Sequence, residues 1–254
     1  METTVDGRIQ VTRFDQPDTR NAMTPATARD LHDAIKSATE REVRALVITG
    51  SGRSFCAGGD LEAMRERAET PDEASRRVQE TLNANVRAIL SAPFPVIAKV
   101  NGDAIGAGTN LAAACDFAYA DADARFGEAF VNVGLIPDTG GTVLLPRLVG
   151  LRRAKELTMT GRLFDADEAA TMGLINEAVS GDALDDRVND LLETLDQKPT
   201  TTLGLIKEGL HGNLGRPVDD ALDREAALQV RAYGTDAHKE GVAAFLDDRK
   251  PDFN

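Results

Sequence analysis

Between Arg8 and Phe14 apolar and polar residues alternate, as they do along a strand with one buried face. After the turn-rich Gln16-Pro17-Asp18, Thr24 caps a predicted helix with Pro25 in its first turn and Leu31, Ala34 and Ile35 on one face. Arg44 to Gly50 and Val96 to Val100 are short apolar runs of the kind that form strands covered on both sides. A further strand is expected at Asp116 to Ala120. Each of the two apolar runs feeds a glycine-rich turn, residues 50–60 and 102–108, and a helix opens after each turn. Strands alternating with helices indicate α/β architecture. Residues 62–80 are charged, with Pro71 interrupting them between two helical stretches, an arrangement that could make a mobile surface loop. A helix from about Ala74 to Leu90 should stop before Pro93 and Pro95. Val143 to Val149 reads as a buried helix closed by Gly150. From Asp165, which with Glu168 resembles a capping box, the pattern turns helical, with helices near 182–196, 200–213, 218–232 and 235–248. Lys198-Pro199 marks the expected boundary between a core, 1–198, and a helical region, 199–254.

The chain has 254 residues, enough to bury a large core, and with no Trp and two Tyr that core is mainly aliphatic. A net charge of −13 argues against nucleic acid as a partner. Only seven of the 29 basic residues are Lys, and Asp outnumbers Glu 26 to 16. Such a surface suits a salt-rich cytoplasm, where screening makes self-repulsion tolerable; an acidic enzyme from ordinary salt is the alternative. The first residues show neither a basic nor an apolar export signature, and no apolar run approaches the roughly 18 residues a membrane span needs. Cys56 and Cys115 make no disulfide framework, and the three His residues show no metal-ligand spacing. A cytoplasmic protein without membrane partners is expected.

The candidate chemistry centres on Gly134-Leu135-Ile136-Pro137-Asp138-Thr139-Gly140-Gly141-Thr142. One carboxylate lies there between a stiff approach and a flexible glycine pair, preceded by Phe130, Val131, Val133, Leu135 and Ile136. Desolvation among these side chains would make Asp138 a stronger base near neutral pH. The bland alternative is that Asp138 caps the helix that follows it. The glycine turns place backbone N–H groups at strand-to-helix junctions, and two converging N–H groups would form an oxyanion hole; close backbone packing would demand the same glycines. No dinucleotide G-x-G-x-x-G and no phosphate-binding G-K-[ST] occur. Cys56 could serve as a nucleophile beside a His, but a small buried Cys is the stronger expectation.

Asn21-Ala22-Met23, Ser54 to Leu61, Asn101-Gly102 to Leu111 and Gly134 to Thr142 stand in the order and spacing of the crotonase superfamily, the enoyl-CoA hydratases and isomerases, which the chain resembles over nearly its whole length, including Gly241 to Leu246. The resemblance implies a spiral of ββα units, a C-terminal helical trimerisation region, and acyl-CoA thioester substrates, with coenzyme A as part of the substrate and no other cofactor. Carried across, the Gly59 and Ala107 N–H groups would form the oxyanion hole. Ala22, Ala57, Gly58, Asp60 and Leu61 would line the CoA path, and Arg20 would lie near its phosphates. Asn110, Phe130 and Val133 would border the acyl group. Phe245 would sit beside a CoA site, a neighbouring subunit's included. The family often has a lysine three residues further on; this chain has Asp248 there, with Lys250 the nearest cation. A homotrimer or a dimer of trimers is expected.

The departures point to a subclass. Family hydratases use two glutamates to position and split water, and those places hold Asn110 and Phe130 here. Asp138 stands where one isomerase branch keeps its single acid/base. Together with Ala129-Phe130-Val131 and Ile136 to Gly141, it looks most like the ring-1,2-epoxyphenylacetyl-CoA isomerases, whose branch also shifts double bonds in 3-enoyl-CoAs. The leading expectation is therefore a Δ3 to Δ2 enoyl-CoA isomerase with Asp138 as acid/base. Two alternatives remain: a hydratase using Asp138 or Glu128, and a non-catalytic acyl-CoA binder. Glu128 is expected to be solvated or structural.

Overall fold

A computed structural model describes residues 1–253. The chain opens with an antiparallel pair, β1 (Glu2–Asp6) and β2 (Ile9–Phe14). Helix α1 (Pro25–Glu40) follows; Thr24 accepts the Thr27 N–H, and Pro25 sits where a missing N–H costs nothing. A unit then repeats three times: a strand, a second strand turned away from it, and a helix. The first is β3 (Ala45–Gly50), β4 (Ser54–Cys56) and α2 (Leu61–Glu66), after which α3 (Pro71–Glu80) and α4 (Leu82–Ser91) are inserted. The second is β5 (Val96–Val100), β6 (Asp103–Ile105) and α5 (Ala107–Ala114). The third is β7 (Phe117–Asp121), β8 (Arg125–Gly127) and α6 (Gly141–Leu148), reached through a 3-10 turn at Ala129–Val133. This is the ββα spiral that the resemblance implied. It continues through α7 (Gly150–Thr160), β9 (Leu163–Asp165), α8 (Ala166–Thr171), β10 (Glu177–Val179) and α9 (Gly181–Asp196) to the helices α10 (Thr200–Asn213), α11 (Val218–Tyr233) and α12 (Asp236–Leu246).

First strands of the units fall in one sheet, ordered β1-β2-β3-β5-β7-β10 and parallel from β2 onward, while β4, β6, β8 and β9 form a second. The continuous apolar runs follow from this: β3 is buried at every residue because both faces of the large sheet are covered. Leu46, Ile48, Val96 and Ala98 face the main core with Leu31, Ile35 and Leu111. Ala45, Val47 and Ile97 face the other way, onto Leu184, Val188 and Leu192 of α9. Burying one such Leu or Ile side chain contributes about 1.5–3 kcal/mol.

Several local expectations are refined. Residues 61–66 and 71–80 form the two helical stretches expected around Pro71, so only 67–70 are a loop. Pro71 starts α3 instead of interrupting a helix, and Thr70 and Glu73 close a reciprocal capping box in front of it. The helix expected over 74–90 breaks at Thr81 (φ −114°, ψ −82°), whose hydroxyl donates to the Arg77 carbonyl. Gly150 closes α6 as expected, following the Val149 cap with φ +77°, and it turns the chain directly into α7, which Gly161 closes in turn. Strand β1 escaped notice because all five of its residues are exposed, so no alternation marks it.

The C-terminal helices differ in how they attach. Leu205 of α10 is buried against the core, and Lys207 is buried beside Asp116. Along α11 and α12, Leu222, Val230, Val242, Phe245 and Leu246 are exposed. No helix is long and apolar enough to cross a membrane among the described residues.

Candidate active site

A cleft of about 980 Å³ opens between residues 57–61, the start of α5, helices α2 and α3, and the 130–138 segment. Its floor is built from the two glycine turns. Ala57 N–H donates to the Arg20 carbonyl (3.0 Å), Met23 N–H to the Gly58 carbonyl (2.6 Å) and Asp60 N–H to the Met23 carbonyl (3.4 Å). Met23 thus pairs with Gly59 as in a parallel ladder, and that pattern leaves the Gly59 N–H free. Ala107 is the first residue of α5, so its N–H has no carbonyl one turn back to bond. Gly58 (φ +89°) brings the turns together: a Cβ there would lie 2.7 Å from the Ile105 carbonyl oxygen and 3.7 Å from the Ala107 nitrogen. At Gly108 a Cβ would stand 2.1 Å from the Cys56 carbonyl oxygen. Both glycines are therefore required by backbone contact, and the same contact sets two unspent N–H groups side by side at the positive end of a helix.

Part of the cleft wall is apolar, with Phe130, Val133, Leu135, Val78 and Leu82, and Asp138 lines the same cleft. The other lining carboxylates are committed or peripheral. Asp60 caps α2 by accepting the Ala63 N–H, Glu69 is paired with Arg77 at 2.7 Å, and Asp18 and Glu62 are exposed. Asp138 accepts the neighbouring Thr139 hydroxyl, at 3.0 Å, and is in no ion pair among the described residues. Burial raises its pKa above the ordinary carboxylate value, against smaller opposing effects of the Thr139 hydroxyl and the Arg77 guanidinium. The capping alternative fails: Gly140 occupies the cap of α6, and no side chain caps that helix. What Asp138 gives to the fold is its carbonyl, which accepts the Gly141 N–H and the Asn110 side-chain amide, both at 2.9 Å.

Of the residues singled out in the sequence, Ala22, Ala57, Gly58, Gly59, Asp60, Leu61, Ala107, Phe130, Val133 and Asp138 line the cleft. Three do not. Arg20 is exposed on the preceding turn (φ +54°) and contributes its carbonyl to hold Ala57. Asn110 is buried completely beneath the wall and cannot border the acyl group; its amide is a strut for the Asp138 backbone. Phe245 is 86% exposed on α12 and lines no part of this chain's own cleft. Glu128 is not solvated: it has no accessible surface, and burial pushes its pKa up to about 8. Cys56 is fully buried, which pushes its thiol up to about 11 and leaves it the small core residue expected, not a nucleophile. Met64, Arg77, Val78, Thr81 and Leu82 went unnoticed in the sequence although they line the cleft. Their signal was available: 77, 78, 81 and 82 fall at helical spacing within the helix expected over 74–90.

An enoyl-CoA hydratase/isomerase family model matches residues 4–254. The chain is 39% identical over 245 residues to a probable enoyl-CoA hydratase of Rhodobacter capsulatus, covering 96% of this chain and 94% of the other. It is 36% identical over 252 residues to the 1,2-epoxyphenylacetyl-CoA isomerase of Escherichia coli, with 98% and 96% covered. The crystal structure of an enoyl-CoA hydratase from Mycobacterium smegmatis superposes with a TM-score of 0.94 at 33% identity, over 99% of this chain and 98% of that one.

Proposed function

The chain belongs to the enoyl-CoA hydratase/isomerase family, and on that footing we propose that it is an acyl-CoA isomerase shifting a C=C bond from Δ3 to Δ2. Ring-1,2-epoxyphenylacetyl-CoA is its second candidate substrate. The observation that carries this reading is the cleft's acid inventory: Asp138 is its one half-buried carboxylate free of an ion pair or a helix cap. The two places where family hydratases keep acids hold a buried amide, Asn110, and a phenyl ring, Phe130.

The proton at C2 of a 3-enoyl thioester lies between a carbonyl and a double bond, and both acidify it. Asp138 removes it, and the electron pair spreads over the dienolate. The enolate oxygen rests on the Gly59 and Ala107 N–H groups, where losing one donor typically costs about 3–4 kcal/mol. Asp138 then returns the proton at C4, and the double bond ends conjugated with the thioester. One base serves both carbons, so no water is needed, in keeping with the Phe130, Val133 and Leu135 wall.

The relatives named hydratase favour a second reading, water addition to a 2-enoyl-CoA. Incubation with 3-hexenoyl-CoA and, separately, with a 2-enoyl-CoA decides between them. Isomerised 2-hexenoyl-CoA is the expected product; 3-hydroxyacyl-CoA would make the protein a hydratase, and unchanged but bound thioester a non-catalytic binder.

For assembly we infer a cytoplasmic homotrimer or dimer of trimers, with coenzyme A entering only as part of the substrate and residues 199–254 supplying the contacts. The exposed Leu222, Val230, Val242, Phe245 and Leu246 motivate this, because so much apolar surface is costly in water. Light scattering should give a multiple of three chain masses, and a monomer would refute it. The −13 charge adds a salt prediction: the melting temperature should rise from low to molar KCl as self-repulsion is screened. A flat or falling midpoint would remove the salt-adapted reading.

A further inference from the structure

Glu128 follows β8 directly and is sealed from solvent. One of its oxygens, Oε2, lies 3.4 Å from the Asn110 Nδ2, a long contact from a donor that also serves the Asp138 carbonyl at 2.9 Å. The other, Oε1, has no donor, and the Asn110 Oδ1 beside this junction has none either. Two orphaned acceptors in one dry site are costly, and a proton on the carboxyl removes the charge and supplies a donor. Among the described residues no cation pairs with Glu128. Asn110 from α5 and Asp138 from the segment before α6 are the groups acting on it. On the neighbouring β9 and α7 side, Arg162 is bound to Glu156 and Glu168, and Arg153 to the same two glutamates. The amide of Asn110 is itself held in place, since a Cβ at Gly141 would come within 2.4 Å of its Nδ2.

We propose that Glu128 is a positioning residue kept as a neutral acid: it fixes the Asn110 amide, and through that amide the backbone that aims Asp138 into the cleft. The inference rests on Asp138 being the base. Its chemistry is that of a support sensitive to charge. When Glu128 ionises, its carboxylate attracts the Asn110 N–H away from the Asp138 carbonyl and repels the ionised Asp138 side chain. Burial pushes the Glu128 pKa up to about 8, with Asn110 acting in the opposite sense and the Asp138 charge adding to the rise. Activity should therefore decline above that pH, because misplacing a base by about 1 Å can cost 10²-fold.

The test uses the intact protein and two readouts. Carboxyl 13C NMR, with the Glu128 signal assigned by its loss in Glu128→Gln, should show this group protonated at pH 7 and titrating near 8. In isomerisation of 3-hexenoyl-CoA, Glu128→Gln should keep kcat within about threefold at pH 7 and lose the decline above pH 8. Glu128→Ala, lacking the amide's support, should lose about tenfold or more in kcat with KM little changed. Three results would overturn the proposal. Ionised Glu128 at pH 7 is one, and Gln and wild-type profiles that superimpose at alkaline pH are another. The third is a folded Glu128→Gln as inactive as a variant lacking the base, which would make Glu128 the base itself. Should the wild type not isomerise at all, the functional reading fails on its own, and the NMR titration still decides the protonation state.

Discussion

Asp138→Asn should lower kcat for 3-enoyl-CoA isomerisation by at least about 10²-fold while leaving thioester binding nearly unchanged. The amide is the same size but cannot take the C2 proton. The variant should fold, because the aspartate's hydrogen bonds to other elements run through its carbonyl, to Gly141 and Asn110, while its side chain bonds the adjacent Thr139. A loss of activity can then be assigned to chemistry, provided melting and calorimetric binding stay level. The pH profile supplies an independent sign. Burial raises the Asp138 pKa, so the acid limb of kcat/KM should lie at higher pH than an ordinary carboxylate would give. Asp138→Asn with near wild-type turnover would remove Asp138 from the mechanism and promote Glu128.

How much of this was legible depended on whether a residue's meaning is local. The apolar runs at 44–50 and 96–100 announce doubly covered strands because both faces of the large sheet are buried. The glycine turns could be located but not interpreted from sequence alone. Backbone packing and an oxyanion hole require the same glycines, and at Gly58 and Gly108 both reasons hold together. Asn110 and Glu128 were the harder cases. A polar residue inside a helix of alanines, or an acid just before a 3-10 turn, gives no hint that each is sealed in; the spiral's closure in three dimensions decides that. The short strands β4, β6, β8 and β9 span three residues each, too few to display a period, and the tertiary pairing creates them. The charged stretch 62–80 could be read as helical but not as part of the site: its helices present their apolar side to the cleft and not to the core, so they carry no buried residue to mark them.

Lys207→Ala should cost about 3–5 kcal/mol of stability, a large effect for a residue remote from the cleft. Lys207 lies on α10, beyond the Lys198-Pro199 boundary, yet its ammonium is 2.6 Å from Asp116 Oδ2 and 3.3 Å from the Phe94 carbonyl. The two side chains are only 6% and 14% exposed. Asp116 also accepts the Val96 N–H at 2.8 Å, at the point where β5 begins, and its other oxygen is 3.7 Å from His211 Nε2. Removing the lysine leaves a desolvated carboxylate and an unpaired carbonyl at the start of β5, a central strand of the large sheet, and the cost comes mainly from those orphaned groups. It follows that Lys207→Met should be nearly as damaging, since a methionine fills the space but neutralises nothing. Pairing it with Asp116→Asn should recover much of the loss, because the buried charge is then gone. Urea unfolding of wild type, Lys207→Met, Asp116→Asn and their double mutant, with Lys207→Ala beside them, measures this, and the non-additivity of the double mutant is the decisive quantity. Were Lys207→Ala within about 1 kcal/mol of wild type, the pair would rank with surface ion pairs, and α10 would owe its attachment to Leu205 and its neighbours alone.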